Sequence, residues 1–199
     1  MKLLYPNTNY VVFDFETTGL DHRVDDVIQM SAIKFIGDKK ESFNRFVKTD
    51  SEIPEVIQSL TGINKDLLNA KGVNKQEAWQ DFNSFISFYT LVGHNAISFD
   101  RMFLEKSFTD YSFKVPSTNR YIDTAMLYKA EKIGEKQMYY ENHFDFCRRI
   151  REVRAYGVRF KLTICCEDLG IDMSQFTAHR SDSDIEMTNL IYLNFINKI

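Results

Sequence analysis

The chain has 199 residues, 44% of them hydrophobic and 27% charged, with a formal net charge of −3 and only 3 Pro and 8 Gly. This length fits one domain, and the usage excludes collagen-like, coiled-coil and disordered classes. The mild acidity excludes a globally basic nucleic-acid coat protein but leaves room for a local basic patch.

Residues 9–16, NYVVFDFE, are rich in β-branched and aromatic side chains and predict a buried strand, closed by TTGL with Gly19 as the breaker. Val27–Ile36 predicts a second strand, ended by Gly37-Asp38, and Glu41–Val47 a third. Short turns between them predict an antiparallel meander. Pro54 can then open a helix over Ile57 and Leu60, and Asn64 can cap a second one, KDLLNA. In 74–89, Ala78, Trp79, Phe82, Phe85, Ile86 and Tyr89 recur at helical spacing. Thr90–Gly93 reads as a short strand, Phe99–Phe108 as a helix, Tyr121–Thr124 as a strand and Ser183–Ile199 as a closing helix. A meander followed by alternating strands and helices predicts a mixed α/β sheet covered by helices.

Segment 131–161 stands apart. It carries Arg148, Arg149, Arg151, Arg154, Arg159 and Lys161 within 14 residues and reads as a basic arm or helix inserted in a single domain spanning 1–199. Interspersed Tyr139, Tyr140, Phe144 and Tyr156 suit a surface that tracks a nucleic-acid strand, with Arg148, Arg149, Arg151 and Arg154 meeting phosphates. A solvated face of an amphipathic helix, with Phe144, Phe146, Ile150 and Val153 buried, is the alternative. Cys147, Cys165 and Cys166 show no C-x-x-C spacing, so neither a disulfide framework nor a zinc site is expected, and a reducing compartment, the cytoplasm, is. MKLLYPNTNY lacks the apolar run of a signal peptide, and no stretch approaches the roughly 18 apolar residues of a membrane span.

Three segments can carry chemistry. Asp14 and Glu16 lie two apart at the end of a buried strand, so both point to one face. Carboxylates so placed repel each other unless a cation neutralises them, and oxygen donors suit Mg²⁺ or Mn²⁺. A solvated strand end is the other reading. Gly93-His94-Asn95-Ala96-Ile97-Ser98-Phe99-Asp100 runs from a strand into a helix that Asp100 can also simply cap. His179-Arg180-Ser181-Asp182-Ser183-Asp184 precedes the last helix and can be a capping loop.

Taken in order, FDFETTGL, HN…FD and H-x4-D resemble the three motifs of the DEDD superfamily of 3′–5′ exonucleases, in the histidine branch that includes the epsilon subunit of bacterial DNA polymerase III, ribonuclease T and oligoribonuclease. Ile53-Pro54 through Ile63, Ile122-Asp123-Thr124 and Leu162–Leu169 also fit, and the resemblance covers nearly all the chain except 131–161. It implies a ribonuclease H-like fold, a mixed five-stranded sheet with helices on both faces. It implies two divalent cations, Mg²⁺ or Mn²⁺, on Asp14, Glu16, Asp100 and Asp184, with His179 as general base. It also places Thr17, Thr18, Leu20, His94, Asn95 and Phe99 beside the 3′-terminal nucleotide.

The activity implied is hydrolysis of the terminal phosphodiester of DNA, releasing nucleoside 5′-monophosphates. An RNA-directed enzyme of ribonuclease T or oligoribonuclease type stays open, because no residue reads the 2′-OH; so does a catalytically silent binding module. The partner implied is nucleic acid with a free 3′ end, a DNA polymerase or repair partner being open. A last helix running to Ile199 without a tail points to a stand-alone exonuclease or a domain of a longer chain. The sequence departs from the family pattern in three places. His94 and Asp100 are six apart where five is usual, Gln29 stands where a Glu is frequent, and both Asp182 and Asp184 are present, spacing selecting Asp184.

Overall fold

The computed structural model describes residues 8–174, 176 and 181–196. Strands β1 (Tyr10–Thr17), β2 (Val27–Ile36) and β3 (Lys39–Phe46) are followed by helices α1 (Glu55–Thr61), α2 (Lys65–Lys71) and α3 (Lys75–Ile86). Then come β4 (Thr90–Gly93), α4 (Asp100–Asp110), a 3₁₀ turn (Thr118–Arg120), β5 (Tyr121–Asp123), α5 (Thr124–Lys132), α6 (His143–Glu152), α7 (Leu162–Asp168) and α8 (Ser181–Ile196). The five strands form one sheet in the order β3-β2-β1-β4-β5. β1, β2 and β3 pair antiparallel, while β4 and β5 run parallel to β1. The sheet is therefore mixed, as the sequence predicts.

Central strand β1 sorts its side chains by parity, as a strand covered on both faces must. Phe13 and Phe15 point to α3 and meet Phe82 at ring-centroid distances of 6.2 and 5.2 Å. Trp79 and Phe43 close the same aromatic cluster around Phe82. Tyr10 points to the opposite face, where its hydroxyl donates to Asn189 Oδ1 at 2.8 Å and its ring meets Tyr192 of α8. Asp14 and Glu16 share the parity of Tyr10, so the two carboxylates face α8.

The β2–β3 connection is a two-residue turn at Gly37-Asp38, and Gly37 takes φ +55° there, where glycine is unstrained. The β1–β2 connection departs from the short turn expected. It is a loop of nine residues, 18–26, held by polar contacts. The Thr18 amide donates to Asp26 O at 2.8 Å, the Asp26 amide to Thr18 Oγ1 at 2.9 Å and the Asp21 amide to Asp25 Oδ2 at 2.8 Å.

Helix α5 has no counterpart among the expected elements. It follows β5 directly, capped by Asp123, whose carboxylate accepts from the Ala125 amide at 3.0 Å. Thr124–Ala130 are all buried, so no amphipathic period marks the helix. Segment 131–161 lies against the β5 edge through α6, which buries Phe146, Cys147 and Ile150, with Phe144 and Val153 half-buried. The Lys129 ammonium donates to Arg151 O at 3.0 Å and ties α6 to α5. All three cysteines are buried and free. Among the described residues, no helix is long and apolar enough to cross a membrane.

Truncating the ring at the middle of the aromatic cluster leaves a cavity lined by four other rings. Phe82→Ala is expected to cost about 3–5 kcal/mol in urea unfolding. Tyr139→Ala, at an 81% exposed position, is expected to stay within about 0.5 kcal/mol.

Candidate nuclease metal site

The three parallel strands β1, β4 and β5 end on the same edge of the sheet. The chain leaves β1 toward β2 on one side and later returns to β4 on the other, so a topological switch point lies between β1 and β4. Open α/β sheets bind ligands at such points, outside the carboxyl ends of the strands. Asp14 and Glu16 lie near the carboxyl end of β1, and Asp100 opens α4 beyond β4.

The structure brings Asp14, Glu16 and Asp184 together, with ligand oxygens all within 4.8 Å of one another. They are 14 and 16 on a strand and 184 on the first turn of α8, and the packing of α8 across β1 supplies the third. Asp100 completes a constellation of four. It is 3% exposed, and its Oδ1 accepts the Phe15 amide at 3.0 Å. That bond reaches across to β1, while the N-cap of α4 is Phe99, so Asp100 is not the simple helix cap that the sequence also allows.

The electrostatics are those of an unneutralised anion cluster. Burial, then Asp100, Glu16 and Asp184, hold the Asp14 carboxyl well above the usual carboxylate range. Burial and Asp184 push Glu16 up to about 7. Burial pushes Asp100 up to about 7 against the pull of the Phe15 amide, with Asp123 and Glu16 adding to the rise. Asp14, Glu16 and Asp100 disfavour their own ionisation, and with Asp184 these oxygen donors fit a hard divalent cation, which would restore the charged form.

Asp182 takes a different position. Its Oδ1 accepts from Asn44 Nδ2 of β3 at 2.9 Å, and Asn44 in turn accepts from Gln29 Nε2 at 3.2 Å. Gln29 pairs with Glu16 across β1 and β2. At the position where the family often has a carboxylate, this chain sets a neutral amide beside an already crowded acidic site. Asp182 thus anchors the start of α8 to β3, while Asp184 faces β1.

The loop from Gly93 to Asp100 is set by a residue that the spacing of the motifs does not single out. The fully buried Asp123 carboxylate accepts from the amides of Asn95 at 2.9 Å and Ile97 at 3.1 Å, besides capping α5. Its sequence signals are its place at the end of a short strand and the fit of Ile122-Asp123-Thr124 to the family pattern, neither of which shows that it holds this loop. Gly93 allows the loop to fold back, because a Cβ there would sit 2.4 Å from Ala96 Cβ. Asn95 takes φ +61°, which Asn tolerates.

His94 has both ring nitrogens engaged inside the protein. Nε2 lies 2.8 Å from Phe160 O and Nδ1 2.9 Å from Thr124 Oγ1. Burial lowers its pKa to about 4, so the ring is neutral at pH 7. A carbonyl only accepts, so Nε2 carries the proton, while the single proton of the Thr124 hydroxyl lies between Nδ1 and Gly93 O, 3.2 Å away.

The remaining expected substrate residues divide. Thr17 and Thr18 are buried, and the Thr17 hydroxyl donates to Gly19 O at 2.6 Å. Leu20 is 84% exposed beside them. Phe99 is half-buried edge-on to Phe103. His179 lies outside the described residues. A cavity of about 710 Å³ adjoins the cluster and is lined by His94, Asn95, Arg159–Ile164 and Asp184. Of the four arginines assigned to a basic arm, none lines it. Arg149 is bound to Glu141 at 2.7 Å and Glu135 at 2.8 Å, Arg148 faces Asp145 at 3.7 Å, and Arg154 lies 3.5 Å from the Tyr156 hydroxyl, while Arg151 is exposed.

Raised carboxyl pKa values favour the protonated form in the fold. Their contribution to stability is full below the unfolded value near 4 and is lost as pH rises through about 7. In EDTA the melting temperature should therefore fall between pH 5 and pH 8, by about 2–4 °C for each kcal/mol lost. Mg²⁺ should flatten the profile, and Asp100→Asn, which keeps an acceptor for the Phe15 amide, should raise the melting temperature in EDTA at pH 8. A flat profile in EDTA would contradict the electrostatic reading.

Comparison with known proteins agrees with this geometry. Residues 11–192 match the model of the RNase T exonuclease family. The chain is 37% identical over 122 residues to the PolC-type DNA polymerase III of Mycoplasma genitalium, covering 61% of this chain and 8% of that one. It is 27% identical over 199 residues to the Mycoplasma pneumoniae enzyme and 29% over 196 to that of Thermotoga petrophila, covering 100% and 96% of this chain and 12% of each relative. The chain thus spans about a tenth of the length of these curated relatives. Escherichia coli exonuclease I in complex with a dA16 oligonucleotide superposes with TM-score 0.72 at 19% identity, over 96% of this chain and 41% of that one. A product-bound structure of exonuclease I gives 0.70 at 18%, over 94% and 43%. The fold is therefore the ribonuclease H-like one that the motifs imply, and the chain belongs to the RNase T family of exonucleases.

Proposed function

We propose that the chain is a metal-dependent 3′–5′ exonuclease that hydrolyses the terminal phosphodiester of DNA and releases nucleoside 5′-monophosphates. The observation that carries this reading is the convergence of Asp14, Glu16 and Asp184, with Asp100 beside them, at the carboxyl edge of the sheet. The names of the relatives, DNA polymerases of PolC type, and the oligonucleotide in the exonuclease I complex favour DNA over RNA and a polymerase setting. On this reading the chain works on replicating or repaired DNA in the cytoplasm.

Asp14, Glu16, Asp100 and Asp184 would hold Mg²⁺ or Mn²⁺. Divalent cations supply the positive charge that lets an anionic nucleophile approach an anionic phosphate. The protein's own groups do the rest. The β1 edge and the first turn of α8 fix the carboxylates before substrate arrives, so little reorganisation accompanies reaction. His179, as the family pattern implies, takes the proton from the attacking water. An ordinary imidazole, with a pKa of about 6.5, is largely neutral near pH 7 and fit to accept it. Leu20, open to solvent beside the buried Thr17 and Thr18, would meet the terminal base as the family pattern implies, with Asn95 at the adjoining cavity.

A gel time course with labelled single-stranded, recessed and blunt DNA and matched RNA, in Mg²⁺, Mn²⁺ or EDTA, tests the proposal. Stepwise shortening of DNA from the 3′ end, abolished by EDTA, is expected. Asp14→Ala and Asp184→Asn should lose several orders of magnitude in kcat, and His179→Ala about 10²–10⁴-fold. Asp182→Asn, which touches Asn44 rather than the cluster, should cost about tenfold at most. Faster shortening of RNA would support a ribonuclease instead. Wild-type rates for His179→Ala in saturating Mg²⁺ would remove the base assignment.

A further inference from the structure

Arg159 and Lys161 differ from the other cations of segment 148–161. They line the cavity that ends on Asp184, which Arg148, Arg149, Arg151 and Arg154 do not. Phe160 between them is half-buried, with the Lys129 ammonium 5.9 Å from its ring centroid. The chain is extended at Lys161 (φ −62°, ψ 146°), immediately before α7. Arg159 and Lys161 are both exposed, and the shared cavity lining brings them to one site. The carbonyl of Phe160 is pinned by His94 Nε2 at 2.8 Å, and His94 follows the last residue of β4. One hydrogen bond thus ties a basic wall from a segment remote in sequence to the strand edge that carries the carboxylates.

We propose that Arg159 and Lys161 bind phosphates of the substrate strand next to the scissile bond, and that His94 is the positioning residue that holds them there through Phe160. The inference rests on the exonuclease reading and deepens it. An acidic centre repels a polyanion, so the strand behind its last nucleotide needs cations close by. The arginines of α6 are turned to Glu141, Glu135 and Asp145 or lie off this cavity, and Arg159 and Lys161 supply that charge at the site itself. The wall recognises a phosphodiester backbone without reading bases. His94 then acts through the protein, both its nitrogens being engaged, rather than by a hydrogen bond to the nucleotide.

The test compares the wild-type chain, the double variant Arg159→Ala/Lys161→Ala, His94→Phe, His94→Gln and the triple variant Arg159→Ala/Lys161→Ala/His94→Phe, each with its melting temperature. Steady-state hydrolysis of a labelled single-stranded oligonucleotide gives kcat and KM, and fluorescence anisotropy in EDTA gives binding against salt. In the double variant KM should rise about tenfold, more than kcat falls, and the log–log salt slope should flatten by about 1.4, the value for two contacts on a single strand. His94→Phe should raise KM in the same way, and His94→Gln, which can still donate to Phe160 O, should recover most of it. In the triple variant the wall substitutions should add less than they do to wild type. Unchanged KM and salt slope in the double variant would overturn the wall, and full additivity would overturn the role of His94. If His94→Phe does not fold, the double variant and His94→Gln decide. An oligonucleotide left intact by wild type would overturn the exonuclease reading, while the salt slope in EDTA still reads the wall, so the two fail separately.

Discussion

Mutual repulsion among four carboxylates is the constraint around which this fold is arranged. Asp14, Glu16 and Asp184 bring their oxygens within 4.8 Å of one another, and Asp100 is buried beside them. No apolar packing gains from that proximity, and each charge raises the cost of ionising the next. The arrangement persists because its carriers are held elsewhere. β1 is clamped by aromatic rings on one face and by the Tyr10–Asn189 bond and Tyr192 on the other. α8 buries Ile185, Met187, Ile191 and Phe195 and is fixed at its start by Asp182 on Asn44. Stability gathered in the core thus holds strain at the site, where a divalent cation relieves it.

The same logic accounts for the neutral groups around the cluster. Gln29 lies beside Glu16 as an amide and adds no fifth charge. Asp123 is kept off the metal-facing set by four backbone amides, those of Asn95, Ile97, Ala125 and Met126. Those bonds fix the loop that carries Asp100 into place. His94 holds the far side of the cavity as a neutral ring. Charge is concentrated where a cation can meet it, and the nearby carboxylates of Asp123 and Asp182 are engaged by amides, which do the positioning.

Much of this was legible in the sequence, for identifiable reasons. β1, β2 and β4 announce themselves as β-branched and aromatic runs, and the carboxylates are fixed in register by the two-residue period of β1. Of the two acids the third motif offers, Asp184 lies with Asp14 and Glu16 and Asp182 meets Asn44, a division that motif spacing favours and a contact from β3 explains. Other features left no local signal. α5 is buried almost throughout, so its period is invisible, and the nine-residue β1–β2 loop is closed by Asp25, Asp26 and Thr18 rather than by a turn dipeptide. The basic run of 148–161 reads as one patch along the chain. Folding separates it, pairing Arg149 with Glu135 and Glu141 and leaving Arg159 and Lys161 at the cavity. Partners distant in sequence decide which charges are free, and spacing alone does not reveal them.

The claim that the convergent carboxylates exist to hold catalytic cations is tested most directly by locating the ions. Crystals grown with Mn²⁺ and a nucleoside 5′-monophosphate, with data collected for anomalous scattering, would do so. The account predicts Mn²⁺ bounded by Asp14, Glu16 and Asp184, with the nucleotide phosphate against it and the base toward Leu20. Mn²⁺ bound elsewhere, with the mononucleotide away from these residues, would contradict it.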